Sequence, residues 1–144
     1  MNEILLKKFL DIFKNDILPL TVKGVDTGNK IFGAAIINKN DYSLVVAGSN
    51  NEIENPIWHG EIHTIKKFYE LDFKMRPNEK NCIFLSSHEP CSLCLSAITF
   101  SGFNNFYYLF PYESTNDEFN NPHDLNILKE VFNINDGKYI KENS

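Results

Sequence analysis

From Asn55 to Phe110, helix-patterned and strand-patterned stretches alternate, with proline or glycine at the joints. Asn55-Pro56 opens a helical stretch that carries Ile62, Ile65 and Tyr69 and ends near Leu71. A polar loop, Met75 to Asn81, leads to a short apolar strand, Cys82 to Leu85. Glu89-Pro90 opens the next helix, Cys91 to about Thr99, which Ser101-Gly102 stops. Phe106 to Phe110 is a strand too apolar to be exposed. Upstream, Ile31–Asn38 and Ser43–Ala47 read as a hairpin about Lys39-Asn40-Asp41. A first helix, Asn2 to Leu18, puts Leu5, Phe9, Ile12, Phe13 and Ile17 on one face and is expected to end at Pro19. Pro122 precedes a last helix, His123 to Phe132. The order α-β-β-α-β-α-β-α belongs to the α/β class, with a mixed sheet covered by helices on both faces.

Repeats, low-complexity tracts and linkers are not visible, so residues 1–144 are expected to form a single domain. A chain of this length buries roughly two thirds of its unfolded surface and needs no staples. The apolar runs are all shorter than the ~18 residues of a membrane span. The N-terminus mixes Glu3, Lys7 and Lys8 among apolar residues instead of forming a signal peptide. These features set the expectation of a cytoplasmic protein without membrane contact. The net charge is −5, and only Arg76 among the 14 basic residues is an arginine. That balance disfavours long RNA or DNA as a partner, because phosphate neutralisation supplies most of such affinity.

Three cysteines are too few for a disulfide scaffold, and two of them form Cys91-Ser92-Leu93-Cys94. That pair starts one helix, and His59-Gly60-Glu61 starts the helix before it. Consecutive parallel strands would bring both helix starts to one sheet edge, where an imidazole and two thiolates can converge. His59, Cys91 and Cys94 would then supply three zinc ligands and leave a fourth position for water. The helix N-terminus favours the thiolates. Glu61, two residues past the histidine, would sit beside the metal as a proton carrier. Trp58, next to His59, is a candidate for stacking on a flat ring.

His59-Gly60-Glu61 and Pro90-Cys91-Ser92-Leu93-Cys94 together resemble the H-x-E…P-C-x-x-C signature of the zinc-dependent cytidine and deoxycytidylate deaminase-like superfamily. The resemblance runs from about Ile31 to Phe110. Asn55-Pro56 and Glu89-Pro90 resemble the branch of guanine and tRNA adenosine deaminases. It implies a three-layer α-β-α fold with a mixed five-stranded sheet, one Zn2+ per chain, and a homodimer. It also implies hydrolytic release of ammonia from a nucleobase, nucleoside or related amino-heterocycle through a zinc-activated water. Phe32-Gly33-Ala34 resembles the strand lining the family's pocket, which marks Phe32 and Ala34. Gly48-Ser49-Asn50 resembles the end of the second strand, which marks Asn50 as a substrate contact. Glu89 is expected to cap its helix and, secondarily, to touch substrate. Gly60 departs from the family, where Ala or Val is usual.

Other readings use the same residues. Cys91 and Cys94 could be a redox pair. A closed structural zinc site would need a fourth ligand, for which Cys82, His63 and His88 are the candidates; Cys82 is more simply a buried small hydrophobe. A tRNA-editing enzyme would use the same chemistry on a folded RNA. His123 is expected to do no more than start the last helix, and the apolar Phe119 and Ile134 are compatible with a second copy.

Overall fold

The structure is a computed structural model, which describes residues 1–114 and 123–133. Phe119 and Ile134 lie outside the described residues. Helix α1 (Glu3–Ile12) is capped by Asn2, whose side chain accepts the N–H of Leu5. Pro19 does not end the helical stretch. The chain passes through a π-helical turn, Phe13–Ile17, into α2 (Leu18–Asp26), and the Leu18 N–H bonds the Phe13 carbonyl five residues back. A proline lacks the N–H and crowds the carbonyl four residues before it. The widened turn places Pro19 in the first turn of α2, where the missing donor costs little.

The remaining elements are β1 (Gly33–Asn38), β2 (Leu44–Ser49), α3 (Gly60–Glu70), β3 (Cys82–His88), α4 (Ser92–Phe100), β4 (Phe106–Phe110) and α5 (His123–Glu130). Asn55-Pro56 does not open α3. The Asn55 side chain accepts the Ile57 N–H and its carbonyl accepts the Trp58 N–H, so residues 55–58 form turns before the helix begins at Gly60.

Among the described residues the sheet has four strands in the order β2-β1-β3-β4, not the five that the resemblance implies. These four are the ones the hydrophobic pattern marks. β1 is antiparallel to β2 and to β3, and β3 is parallel to β4. Strand alternation divides the core in two. Ala35, Ile37, Ile83 and Leu85 pack against Leu5, Phe9, Ile12 and Ile17 on one face. Ala34, Ile36, Cys82 and Phe84 pack against Ile65, Phe68, Ile98 and Phe103 on the other.

Because β2 and β3 both oppose β1, they run parallel to each other, and the chain leaves both at the same edge to enter α3 and α4. Both helix N-termini therefore meet beside the start of β1. Gly60 lets α3 seat there. A Cβ on Gly60 would lie 2.6 Å from the Phe32 carbonyl oxygen and 2.9 Å from the Gly33 Cα. The close approach of two backbones accounts for a glycine at this position.

Candidate active site

His59 and Cys91 are the residues immediately before α3 and α4, and Cys94 lies one turn into α4. The Cys91 sulfur accepts the Cys94 N–H at 3.5 Å. His59 Nδ1 lies 3.4 Å from Cys91 Sγ and 3.5 Å from Cys94 Sγ, and the three ligand atoms fall within 4.8 Å of one another. Tetrahedral zinc with Zn–N near 2.0 Å and Zn–S near 2.3 Å separates its N and S donors by roughly 3.6 Å. The donor set and its spacing thus fit zinc. Among the described residues no fourth His, Cys, Asp or Glu joins this cluster. His63 turns its Nδ1 to the Ser49 carbonyl at 2.8 Å, and the buried Cys82 thiol donates to the Asn78 carbonyl.

The electrostatics of the bare cluster follow its geometry. Hydrogen bonding from Cys94, supported by His59 and the Cys94 N–H, holds the Cys91 thiol down at about 4. The neighbouring Cys91 and burial push Cys94 far up. Cys91 also raises His59 above its usual 6.5.

Glu61 is 5% exposed, and burial raises its pKa. Ser86 Oγ lies 2.7 Å from Glu61 Oε1 and 2.6 Å from the His88 carbonyl, while Cys94 Sγ lies 3.3 Å from Glu61 Oε2. The three ligands and Glu61 open on a cavity of about 280 Å³. That is near the small end of ligand pockets, ~300 Å³, and suits one small molecule. Phe32, Lys30, Glu52, His88, Glu89, His123, Asp124 and Ile127 complete much of its wall.

Of the five residues that the sequence marks for substrate contact, Phe32 and Glu89 line the cavity and three others do not. Ala34 is fully buried in the core below α3. Trp58 is held in the 55–58 turns, its carbonyl accepting the Asn51 N–H. Asn50, 1% exposed, sits behind the wall; its Oδ1 accepts the N–H groups of Lys30 and Glu52, at 3.2 and 3.3 Å. Its buried Nδ2 has no hydrogen-bond partner among the described residues. Glu89 does not cap α4, since Cys91 occupies that position; the Glu89 carboxylate accepts the Tyr112 N–H at 3.0 Å.

Sequence reasoning missed Lys30, Glu52, Asp124 and Ile127, and gave His123 no more than a structural part. The spacing of Asp124 and Ile127 on one face of α5 was the available signal. Burial, together with the charge of Cys91, raises the Asp124 carboxyl to about 6.

His88 has a consequence for stability. Ser87 Oγ accepts the Gly33 N–H at 3.0 Å and shares a hydrogen bond with His88 Nδ1 at 2.9 Å. The ring meets Phe32 edge-on and lies over Phe110. Burial pushes its pKa from 6.5 down to about 4. As pH falls, the unfolded chain takes up this proton near 6.5 and the folded chain only near 4. Folding stability should therefore be complete above 6.5 and drop by about 2 kcal/mol between pH 7 and 5 on account of this group. Asp124 acts in the opposite sense, so the test is a difference. Urea unfolding at pH 7 and 5 should show a smaller loss in His88→Gln than in the wild type; equal losses would remove the assignment.

Comparisons with known proteins agree with this geometry. The family model for the cytidine and deoxycytidylate deaminase zinc-binding region matches residues 16–110. The chain is 32% identical over 97 residues to guanine deaminase of Bacillus subtilis, covering 61% of this chain and 56% of that protein. It is 29% identical over 83 residues to a probable cytosine deaminase of Schizosaccharomyces pombe, covering 58% of this chain and 49% of that one. The matches thus span about half the length of these curated relatives. The X-ray structure of the B. subtilis guanine deaminase superposes with a TM-score of 0.70 at 25% identity, over 97% of this chain and 83% of that one. A structure from a study of tRNA:A34 deaminases has a TM-score of 0.58 at 21% identity, over 69% and 75%, and shares the fold.

Proposed function

The chain belongs to the cytidine and deoxycytidylate deaminase zinc-binding family, and on that premise we propose that it releases ammonia hydrolytically from a small amino-substituted heterocyclic base. The observation that carries this reading is the convergence of His59, Cys91 and Cys94 with a buried Glu61 carboxylate on one small cavity. His59, Cys91 and Cys94 would hold the ion. Bound zinc supplies a Lewis acid that makes water a nucleophile at neutral pH.

Glu61 is the proposed proton carrier. Ser86 has one hydroxyl hydrogen and two acceptors in reach. When Glu61 is ionised, Ser86 donates to it. When Glu61 is protonated, Glu61 donates to Ser86 Oγ and the hydroxyl turns to the His88 carbonyl. Both protonation states are satisfied without moving a heavy atom, which suits a carboxyl that gains and loses a proton in each turnover. In this reading Glu61 delivers one proton to the ring nitrogen beside the amino-bearing carbon and a second to the departing amine. An oxo group remains on the ring.

The substrate edge meets Phe32 and His88 as aromatic walls, with Glu89 and Asp124 as carboxylate acceptors. Two acceptors suit a base rich in N–H donors, and guanine is the first candidate, supported by the similarity to the B. subtilis enzyme. A homodimer belongs to the same proposal, supported by Leu93, Leu95 and the 92% exposed Phe100 on α4. No helix among the described residues is long and apolar enough to cross a membrane.

The test is ammonia release by zinc-loaded protein from guanine, cytosine, adenine, their nucleosides, triazines and a folded tRNA. Guanine is expected to turn over, and Asp124→Asn to lower its kcat/KM by about 10- to 100-fold, the range for a lost specific hydrogen bond to a charged acceptor. Activity on the tRNA alone, or zinc bound with silence across the panel, would overturn the reading.

A further inference from the structure

The cavity wall carries an ion pair that the chemistry above leaves unused. Lys30 Nζ lies 2.9 Å from Glu52 Oε2, and the other oxygen, Glu52 Oε1, lies 3.3 Å from His59 Nε2. The far side of the same imidazole, Nδ1, faces the two cysteine sulfurs. We propose that Glu52 is a positioning residue for the metal, taking the Nε2–H of His59 so that the Nδ1 lone pair is presented to the ion. The inference rests on the reading of His59, Cys91 and Cys94 as zinc ligands.

A neutral imidazole has one N–H, and an ionised carboxylate can only accept. With Glu52 on Nε2, the hydrogen sits there and Nδ1 is left as the acceptor, the form a metal requires. A carboxylate on the outer nitrogen also makes the inner one a better donor and fixes the ring plane.

Two further features keep Glu52 in place. Lys30 holds the second oxygen, so the carboxylate is fastened at both ends. Asn50, buried behind the wall, accepts the backbone N–H groups of Lys30 and Glu52 with a single oxygen. One amide thereby ties the segment bearing the lysine to the segment bearing the glutamate. This gives Asn50 a part distinct from the substrate contact that the resemblance implies.

The experiment measures zinc affinity by competition with a chromophoric chelator. The proteins are wild type, Glu52→Ala and Glu52→Gln, with thermal melting of the metal-free forms alongside. Glu52 sits in a partly exposed loop, so the metal-free melting points should coincide. Glu52→Ala should bind zinc about 10- to 100-fold more weakly, the usual cost of losing such an outer partner. Glu52→Gln, whose amide oxygen still accepts Nε2–H, should recover part of that loss. The absorption bands of the cobalt-substituted Glu52→Ala protein should shift, because His59 is no longer fixed. Zinc affinity in Glu52→Ala within about threefold of the wild type would overturn the proposal. So would a loss confined to kcat/KM, which would move Glu52 to the substrate. Failure of the wild type itself to take up zinc would overturn the ligand assignment, and the proposal with it.

Discussion

Glu61→Gln should lose about 10²- to 10⁴-fold in turnover while binding zinc as tightly as the wild type, the range that a positioned general acid–base supplies. Glutamine is the informative replacement because the site is buried and close-packed. It keeps the volume of the side chain, and its amide oxygen can still accept the Ser86 hydroxyl. It cannot carry a proton between positions. Alanine would also remove turnover, but it opens a hole beside Cys94 and confuses loss of chemistry with loss of packing. Ser86→Ala should lie between the wild type and Glu61→Gln, since the carboxyl keeps its proton-carrying capacity but loses its partner. Zinc content, melting temperature and ammonia release on the same samples separate the possibilities. Turnover within tenfold of the wild type in Glu61→Gln would remove the carboxyl from the reaction.

The features that were legible in the sequence are those carried by short segments. His59-Gly60-Glu61 and Cys91-Ser92-Leu93-Cys94 declare ligand types at helix starts, and the four strands announce themselves as short, continuous apolar runs bounded by turn residues. Where local rules met tertiary packing, packing decided. Pro19 carries a stop signal, yet a widened turn absorbs it and α2 continues over the sheet. Asn55-Pro56 carries a start signal, yet the Asn55 side chain diverts the chain into turns. Phe32 and Ala34 are two residues apart, but Phe32 lies at the open edge and Ala34 beneath α3. Lys30, Glu52 and Asp124 come from three separate loops or helix ends, and no spacing rule joins them. The position of Asn50 after β2 resembles a substrate contact, whereas its side-chain oxygen accepts backbone N–H groups of the cavity wall.

Cys94→Ala should leave the purified protein with little zinc, below about a tenth of an equivalent against about one in the wild type, because two ligands remain where a catalytic site needs three. Turnover should fall to the level of the metal-free protein and should not return on adding zinc. Cys82→Ala is the matched comparison. Cys82 is as deeply buried as Cys94, but its thiol faces the carbonyl of Asn78 in the loop before β3, and burial lifts its pKa to about 11. Its loss should cost ~1 kcal/mol of stability, as for a small buried side chain, and leave zinc and turnover unchanged. Thiol labelling gives a second readout on the wild type. Stripping the metal with a chelator should expose one fast-reacting thiol, Cys91, which is partly exposed and ionised. Cys82 should stay slow in both states, because it is buried and protonated. Restoring zinc should silence Cys91, since a sulfur bound to the ion is neither free nor reachable. Labelling of Cys91 at equal rates with and without zinc would mean that the ion binds elsewhere. Zinc retained at one equivalent in Cys94→Ala would mean the same, and either result would detach the metal from Glu61 and from the cavity it serves.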